Sequence, residues 1–159
     1  VKKIINSREI NRYHDLWSKK KTVLVGGCFD IFHYGHWFFL KKAKTRGDFL
    51  IVVLESDGFI ENKKKKIPVH TQEQRAKILS ALTIVDLVVK IPYFSCDRDY
   101  AELVRNVKPR VIAVTEGDNQ INLKKRQAQE IGAEISVVSP FLKKFSGSKI
   151  IKYAPFFSD

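Results

Sequence analysis

The chain has 159 residues and a mass of 18.3 kDa, with 44% apolar and 29% charged residues, enough for one core and far from a disordered composition. Its 29 Lys and Arg against 17 Asp and Glu leave a formal charge of +12, which suits an anionic partner (nucleic acid, acidic lipid, small phosphorylated molecules) or simple solubility. No apolar run is long enough to span a bilayer, and the two cysteines, Cys28 and Cys96, support neither a disulfide framework nor a zinc site. The amino end lacks the apolar stretch of a secretory signal. A cytoplasmic location without membrane contact is therefore expected.

In chain order, residues 1–21 come first, with an apolar spacing at Ile10, Tyr13, Leu16 and Trp17 that predicts a helix packed on a sheet edge. Residues 22–159 form the main domain. Five short, nearly all-apolar runs follow: Thr22–Cys28, Asp48–Leu54, Ile84–Lys90, Arg110–Thr115 and Glu134–Val138. Continuous apolarity marks strands buried on both faces of a parallel sheet. Helical stretches alternate with them at Tyr34–Arg46, Thr71–Leu82, Asp97–Asn106 and Gln120–Ile131, with a last helix from about Ser146 to Tyr153. Gly47 and Gly132 stand where C-cap glycines are expected, and Thr71 with Gln74 forms a capping-box pattern. The alternation predicts an α/β single domain built on a doubly wound parallel five-stranded sheet, Rossmann-like in class.

Ligands of such folds gather at the carboxyl ends of the strands. The segment leaving the first apolar run reads Gly26-Gly27-Cys28-Phe29-Asp30-Ile31-Phe32-His33-Tyr34-Gly35-His36. Glycines let a backbone approach an anion closely, and a helix starting near Tyr34 would point its free N–H groups into the loop. His33 and His36, three apart, share one helix face. Asp30 either caps this loop or orients a metal-bound water. Arg75 lies on the apolar stripe of its helix, so its guanidinium must meet an anion or a buried carboxylate such as Asp86. Lys63–Lys66 reads either as a solvated loop or as an anion contact. Asp118, after Gly117, can accept from a ligand or cap the following helix.

These residues resemble the HxGH signature of the cytidylyltransferase-like nucleotidyltransferases, through Gly27-x-Phe29-Asp30-x-x-His33-x-Gly35-His36 and on through Ser56-Asp57, Gln74-Arg75, Gly117-Asp118 and Ser146-Gly147-Ser148. The heptose-1-phosphate adenylyltransferase and glycerol-3-phosphate cytidylyltransferase groups look most similar, with archaeal-type FAD synthases and phosphopantetheine adenylyltransferases further off. The resemblance implies transfer of AMP or CMP from ATP or CTP to a phosphorylated sugar or polyol, with release of pyrophosphate and help from Mg²⁺. It also implies roles for individual residues. His33, His36, Lys63, Lys66 and Arg75 would act on the reacting phosphates. Gly27, Cys28, Phe29, Asp30, Gly35, Gly117, Asp118, Ser146, Gly147 and Ser148 would hold the nucleotide. Asp57 and Arg75 would meet the acceptor. Gly147 departs from the family pattern, where a threonine is usual. Polynucleotide is not the expected partner, and a homodimer is compatible with the pattern. The alternative is a non-catalytic nucleotide- or nucleic-acid-binding module on the same fold.

Overall fold

Six strands, one more than the apolar runs predict, form the sheet: β1 (Ile4–Asn6), β2 (Thr22–Gly27), β3 (Phe49–Leu54), β4 (Leu87–Lys90), β5 (Val111–Thr115) and β6 (Glu134–Ser139). They pair in parallel in the spatial order β1-β4-β3-β2-β5-β6. The computed structural model describes residues 2–142, 145 and 147–153, the side chains of Ser148, Ile151 and Tyr153 excepted. The helices are α1 (Ile10–Tyr13), α2 (Tyr34–Lys44), α3 (Asp57–Lys64), α4 (Gln72–Ser80), α5 (Asp97–Val107), α6 (Ile121–Ile131) and α7 (Gly147–Tyr153).

The added strand corrects the reading of residues 1–21 as a helix alone. Ile4–Asn6 lies beside Val88–Lys90 at the sheet edge, a pairing too short to show as an apolar run. The predicted helix shrinks to α1 between two 3₁₀ turns, Ser7–Glu9 and His14–Leu16. Its apolar spacing still serves packing. Ile10 and Trp17 are buried, and the Trp17 indole donates to the carbonyl of Val107 at 3.0 Å.

Both faces of the sheet are covered. Val23, Val25, Leu50, Val52 and Leu54 pack under Phe39, Leu40 and Ala43 of α2 and Ala76 and Leu79 of α4. Leu24, Ile51, Val53 and Val89 pack on the other face with Ile10, Trp17, α5 residues Leu103, Val104 and Val107, and Ala128 of α6. This two-sided burial explains the continuous apolar strands. The third run starts late as a strand, at Leu87; just before it the Asp86 N–H donates to the Leu50 carbonyl at 3.1 Å, while its carboxylate accepts the Leu50 N–H at 2.7 Å and the Lys44 ammonium at 2.5 Å. Asp86 is therefore not the partner of Arg75.

Helix boundaries follow local chemistry. The capping box opening α4 forms as predicted, with Thr71 and Gln74 bonded reciprocally at 3.0 and 3.3 Å. Gly47 is not a C-cap: α2 ends at Lys44 with Thr45 as cap. A Cβ at residue 47 would lie 2.2 Å from the Lys21 carbonyl oxygen, so close backbone approach explains this glycine. Helix α3 is absent from the sequence reading. Its residues, DGFIENKK, are mostly polar, yet the Ser56 hydroxyl accepts the Phe59 N–H at 3.1 Å and starts the helix. Among the described residues no helix is long and apolar enough to cross a membrane.

The sheet order reverses between β2 and β5, where the loops at the strand ends part. That crevice is where an open α/β sheet accommodates a ligand.

Candidate active site

The loop leaving β2 is strained. Phe29 and Ile31 have φ of 49° and 47°, the left-handed region, although neither is glycine; each such residue costs about 1–3 kcal/mol. Two anchors hold the loop. The Phe29 ring is buried in the core beneath α2. Asp30 accepts the N–H groups of Val69 at 2.9 Å, His70 at 3.0 Å and Ile31 at 3.1 Å. Burial works to raise the Asp30 carboxyl, but these three donors together outweigh it and hold it below the ordinary range. Asp30 thus caps this loop, the first of the two roles open in the sequence, and it also lines the cavity described below.

His33 is the N-cap residue of α2, and His36 stands in its first turn. Their rings stack at 3.8 Å between centroids and 21° between planes, with Phe29 edge-on to His36 at 5.2 Å. Nδ1 of each ring is buried and has no hydrogen-bond partner among the described residues. Burial, then the neighbouring His33 and Lys64, hold His36 down to about 3, and burial lowers His33. Both imidazoles are therefore neutral at pH 7, carrying one N–H donor and one acceptor nitrogen each. Gly35 allows the stack, since a Cβ there would stand 3.0 Å from the His33 ring.

Above this loop opens a cavity of about 440 Å³. It gathers residues that are far apart in sequence. Gly27, Cys28, Phe29, Asp30, His33, Gly35 and His36 line it, with Asp118 after β5 and Gly147 at the start of α7. The Cys28 thiol is pushed up by burial, which makes it an inert wall residue. Gly117 is not in the wall; its φ of 73° turns the chain so that Asp118 is. Ser146 lies outside the described residues, as does the side chain of Ser148.

The lysine run takes a different form from the predicted loop. Lys63 and Lys64 close α3, and Lys65 is its left-handed C-cap. Lys64 and Lys66 line the cavity, whereas Lys63 does not.

Arg75 and Asp57 also depart from the expected placement. Arg75 is fully buried and takes no part in the cavity wall. It donates to the Cys28 carbonyl at 2.5 Å, the His70 carbonyl at 3.1 Å and the Asp57 carboxylate at 2.6 Å. One guanidinium thus ties the phosphate-loop candidate, the start of α3 and the 67–70 segment together. Asp57 is its partner, and Arg75 acts as a positioning residue.

Residues 24–152 match the model of the cytidylyltransferase-like family. The chain belongs to this family and is a nucleotidyltransferase. It is 38% identical over 138 residues to the FAD synthase of Pyrococcus horikoshii, a match covering 84% of this chain and 90% of that protein. It is 36% identical over 153 residues to the bifunctional protein HldE of Wolinella succinogenes, covering 94% of this chain and 31% of that longer protein. Among solved structures, the lipopolysaccharide core biosynthesis protein of Thermoplasma volcanium superposes with a TM-score of 0.62 at 27% identity, over 77% of this chain and 96% of that one. A pantoate-β-alanine ligase from Francisella tularensis shares the fold, with a TM-score of 0.66 at 20% identity over 87% of this chain and 67% of its own.

Two groups of the nucleotidyltransferase have no counterpart in the sequence reading. Lys124, on α6, lines the cavity and pairs with Asp118 at 2.6 Å, while Asp118 also accepts the Gln120 N–H at 2.8 Å. The six-residue separation of Asp118 and Lys124 crosses a loop–helix junction, so no periodicity signals the pair. The second group is Glu55, directly after β3. It is buried, and both its oxygens lie against the Tyr100 hydroxyl, at 3.0 and 3.2 Å. Burial pushes Glu55 up to about 7, against the Tyr100 hydroxyl and the positive charges of Lys64, Lys124 and Arg75.

The sign of that shift makes a prediction. A carboxyl raised in the fold contributes stability below its unfolded pKa, and this contribution is lost as pH rises through about 7. Glu55→Gln should therefore stabilise the transferase at pH 8 by on the order of 2 kcal/mol, or about 5 °C in Tm, and have little effect at pH 5. Thermal melts at both pH values check it, and equal Tm values at pH 8 would contradict the buried charge.

Proposed function

We propose that the chain transfers AMP from ATP to a phosphate monoester, forming a new diphosphate linkage and releasing pyrophosphate. The observation that carries this reading is the stacked, neutral His33–His36 pair at the α2 start, with buried nitrogens that have no partner among the described residues. Neutral imidazole N–H groups and the helix N-terminus suit the oxygens of an α-phosphate without carrying a strongly hydrated charge. Adenine is favoured over cytosine because the FAD synthase relative covers most of both chains, and FAD is AMP joined to flavin mononucleotide through its phosphate.

In this reaction an oxygen of the acceptor phosphate attacks the α-phosphorus. A new P–O bond forms as the bond from that phosphorus to the β-phosphate oxygen breaks. No protein base is needed, since a phosphate monoester is largely dianionic at pH 7. The protein's part is position and charge. His33 and His36 steady the α-phosphate, and Lys64 and Lys66 receive the leaving pyrophosphate. Magnesium would come bound to the nucleotide as Mg·ATP and would offset charge on its phosphates. The carboxylates that line the cavity, Asp30 and Asp118, are already engaged by backbone N–H groups and Lys124.

Pyrophosphate release with Mg·ATP or Mg·CTP, each beside flavin mononucleotide and a panel of sugar phosphates, tests the proposal. Turnover with ATP and one such acceptor supports it. Nucleotide binding without pyrophosphate release under every pairing would favour a binding module. The lysines supply a sharper check. Lys64→Ala should raise the nucleotide KM about fivefold or more, the loss of roughly one charge-assisted contact. Lys63→Ala should leave it within about twofold. Steady-state kinetics of the two variants decide between neighbouring lysines, and a larger effect at Lys63 would reverse the assignment.

A further inference from the structure

Along β3 the residues Phe49, Ile51 and Val53 enter the core on the α5–α6 face. Glu55 continues that alternation at the upper rim and brings a carboxylate where the pattern would take an aliphatic side chain. Its N–H donates to the carbonyl of Gly27 at 3.1 Å, so its backbone touches the loop that carries the histidines. The Tyr100 hydroxyl reaches both of its oxygens, but one O–H cannot fill a carboxylate's roughly four acceptor positions. Further aromatic rings neighbour Tyr100 in turn. Phe94 meets Tyr100 edge-on at 5.0 Å, and Tyr93, 40% exposed, lies against Gly58 at the start of α3. Glu55 and these rings lie outside the cavity wall, which runs from Lys64 and Lys66 after β3 across to Asp118, Ser139 and Pro140 beyond β5.

We propose that Glu55, held by Tyr100, reads the hydroxyl groups of the acceptor and so selects a polyhydroxylated phosphate monoester. The inference rests on the transfer reading above. With the nucleotide in the cavity, the rim above β3 and β4 is left for the acceptor's carbon skeleton. A carboxylate there accepts hydrogen bonds from hydroxyls and repels phosphate, so it serves the skeleton and not the reacting group. Rings beside it suit the C–H faces of a polyol. A sugar phosphate and the ribityl phosphate of flavin mononucleotide share this chemistry. A purely structural role has the wrong sign, since ionised Glu55 costs the fold stability. Residues that break a local rule in this way gather where a ligand compensates.

The ionised form does the accepting, so acceptor affinity improves as pH rises through neutrality. The groups that act on Glu55 are Tyr100 from α5, Lys64 from α3, Lys124 from α6 and Arg75 from α4, with Cys28 and Tyr93 around the Cys28–Tyr100 side. Of these, Tyr100 is itself pushed up by burial and by Glu55, and stays a neutral donor.

The test uses the full chain with saturating Mg·ATP, and flavin mononucleotide and a sugar 1-phosphate as separate acceptors, comparing wild type, Glu55→Gln and Tyr100→Phe. Glu55→Gln should raise the acceptor KM about tenfold or more, leave the calorimetric Kd for ATP within about twofold, and melt higher at pH 8. Tyr100→Phe should raise the acceptor KM in the same direction by less. From pH 6 to 8 the acceptor KM of wild type should improve more than that of Glu55→Gln, whose profile reports only the acceptor phosphate. The acceptor that wild type turns over separates a flavin from a sugar source. An unchanged acceptor KM in Glu55→Gln, or an equal loss of ATP affinity, overturns the role of Glu55 while transfer stands. A wild type that releases no pyrophosphate with either acceptor removes the transfer reading and this inference with it.

Discussion

Replacing His36 by alanine should lower kcat by about two to three orders of magnitude while the chain stays folded. The ring is held between His33 and Phe29, at 3.8 and 5.2 Å between centroids, so its position is set before any nucleotide arrives. Donors fixed in advance cost no reorganisation when charge gathers on the reacting phosphate, and that is where their catalytic value lies. Because the lost contact belongs to the transition state, kcat and kcat/KM should fall together with a small change in nucleotide KM. The fold should tolerate the change. A neutral, depressed histidine costs stability as pH drops from its ordinary value toward about 3, so His36→Ala should resist acid better than wild type. Single-turnover kinetics and a pH series of melts measure both parts. A variant with wild-type kcat would remove His36 from the chemistry.

The largest effect on stability is expected at Arg75. Arg75→Met should destabilise the chain by about 3 to 5 kcal/mol. The methionine fills much of the volume but leaves the buried carbonyls of Cys28 and His70 without their donor and Asp57 without its partner. Asp57 is the lesser part, since its side chain is 37% exposed and can turn to water. Arg75→Lys should rescue little, because a single ammonium cannot bridge three acceptors spread over three segments. Urea unfolding of the two variants measures the loss, and a change below about 1 kcal/mol would mean that the three segments hold together without the guanidinium. Activity should fall further than stability predicts, since the strained Phe29–Ile31 turn sits on the Cys28 carbonyl that Arg75 holds.

Much of this was legible in one dimension. Five apolar runs announced a sheet buried on both faces, the capping box at Thr71 placed a helix start within one residue, and the glycine-flanked His33–His36 pair marked the site between a strand and a helix. Each signal is local: burial on two sides, a hydroxyl three residues from an N–H, and two rings on one helix face are properties of short segments. The strand Ile4–Asn6 was hidden because three residues have no period of their own and gain their order from Val88–Lys90 across the sheet. Helix α3 was hidden because lysines read as solvated loop, and which lysine faces the cavity depends on where the helix ends. The tertiary structure alone decided that Arg75 is buried as a strut between Cys28, His70 and Asp57, that Asp30 binds backbone N–H groups of residues 69 and 70, and that Glu55 shares its carboxylate with Tyr100 forty-five residues away. A charged side chain's role is set by the partner it meets and the water it loses, and both are fixed only when distant segments close around it.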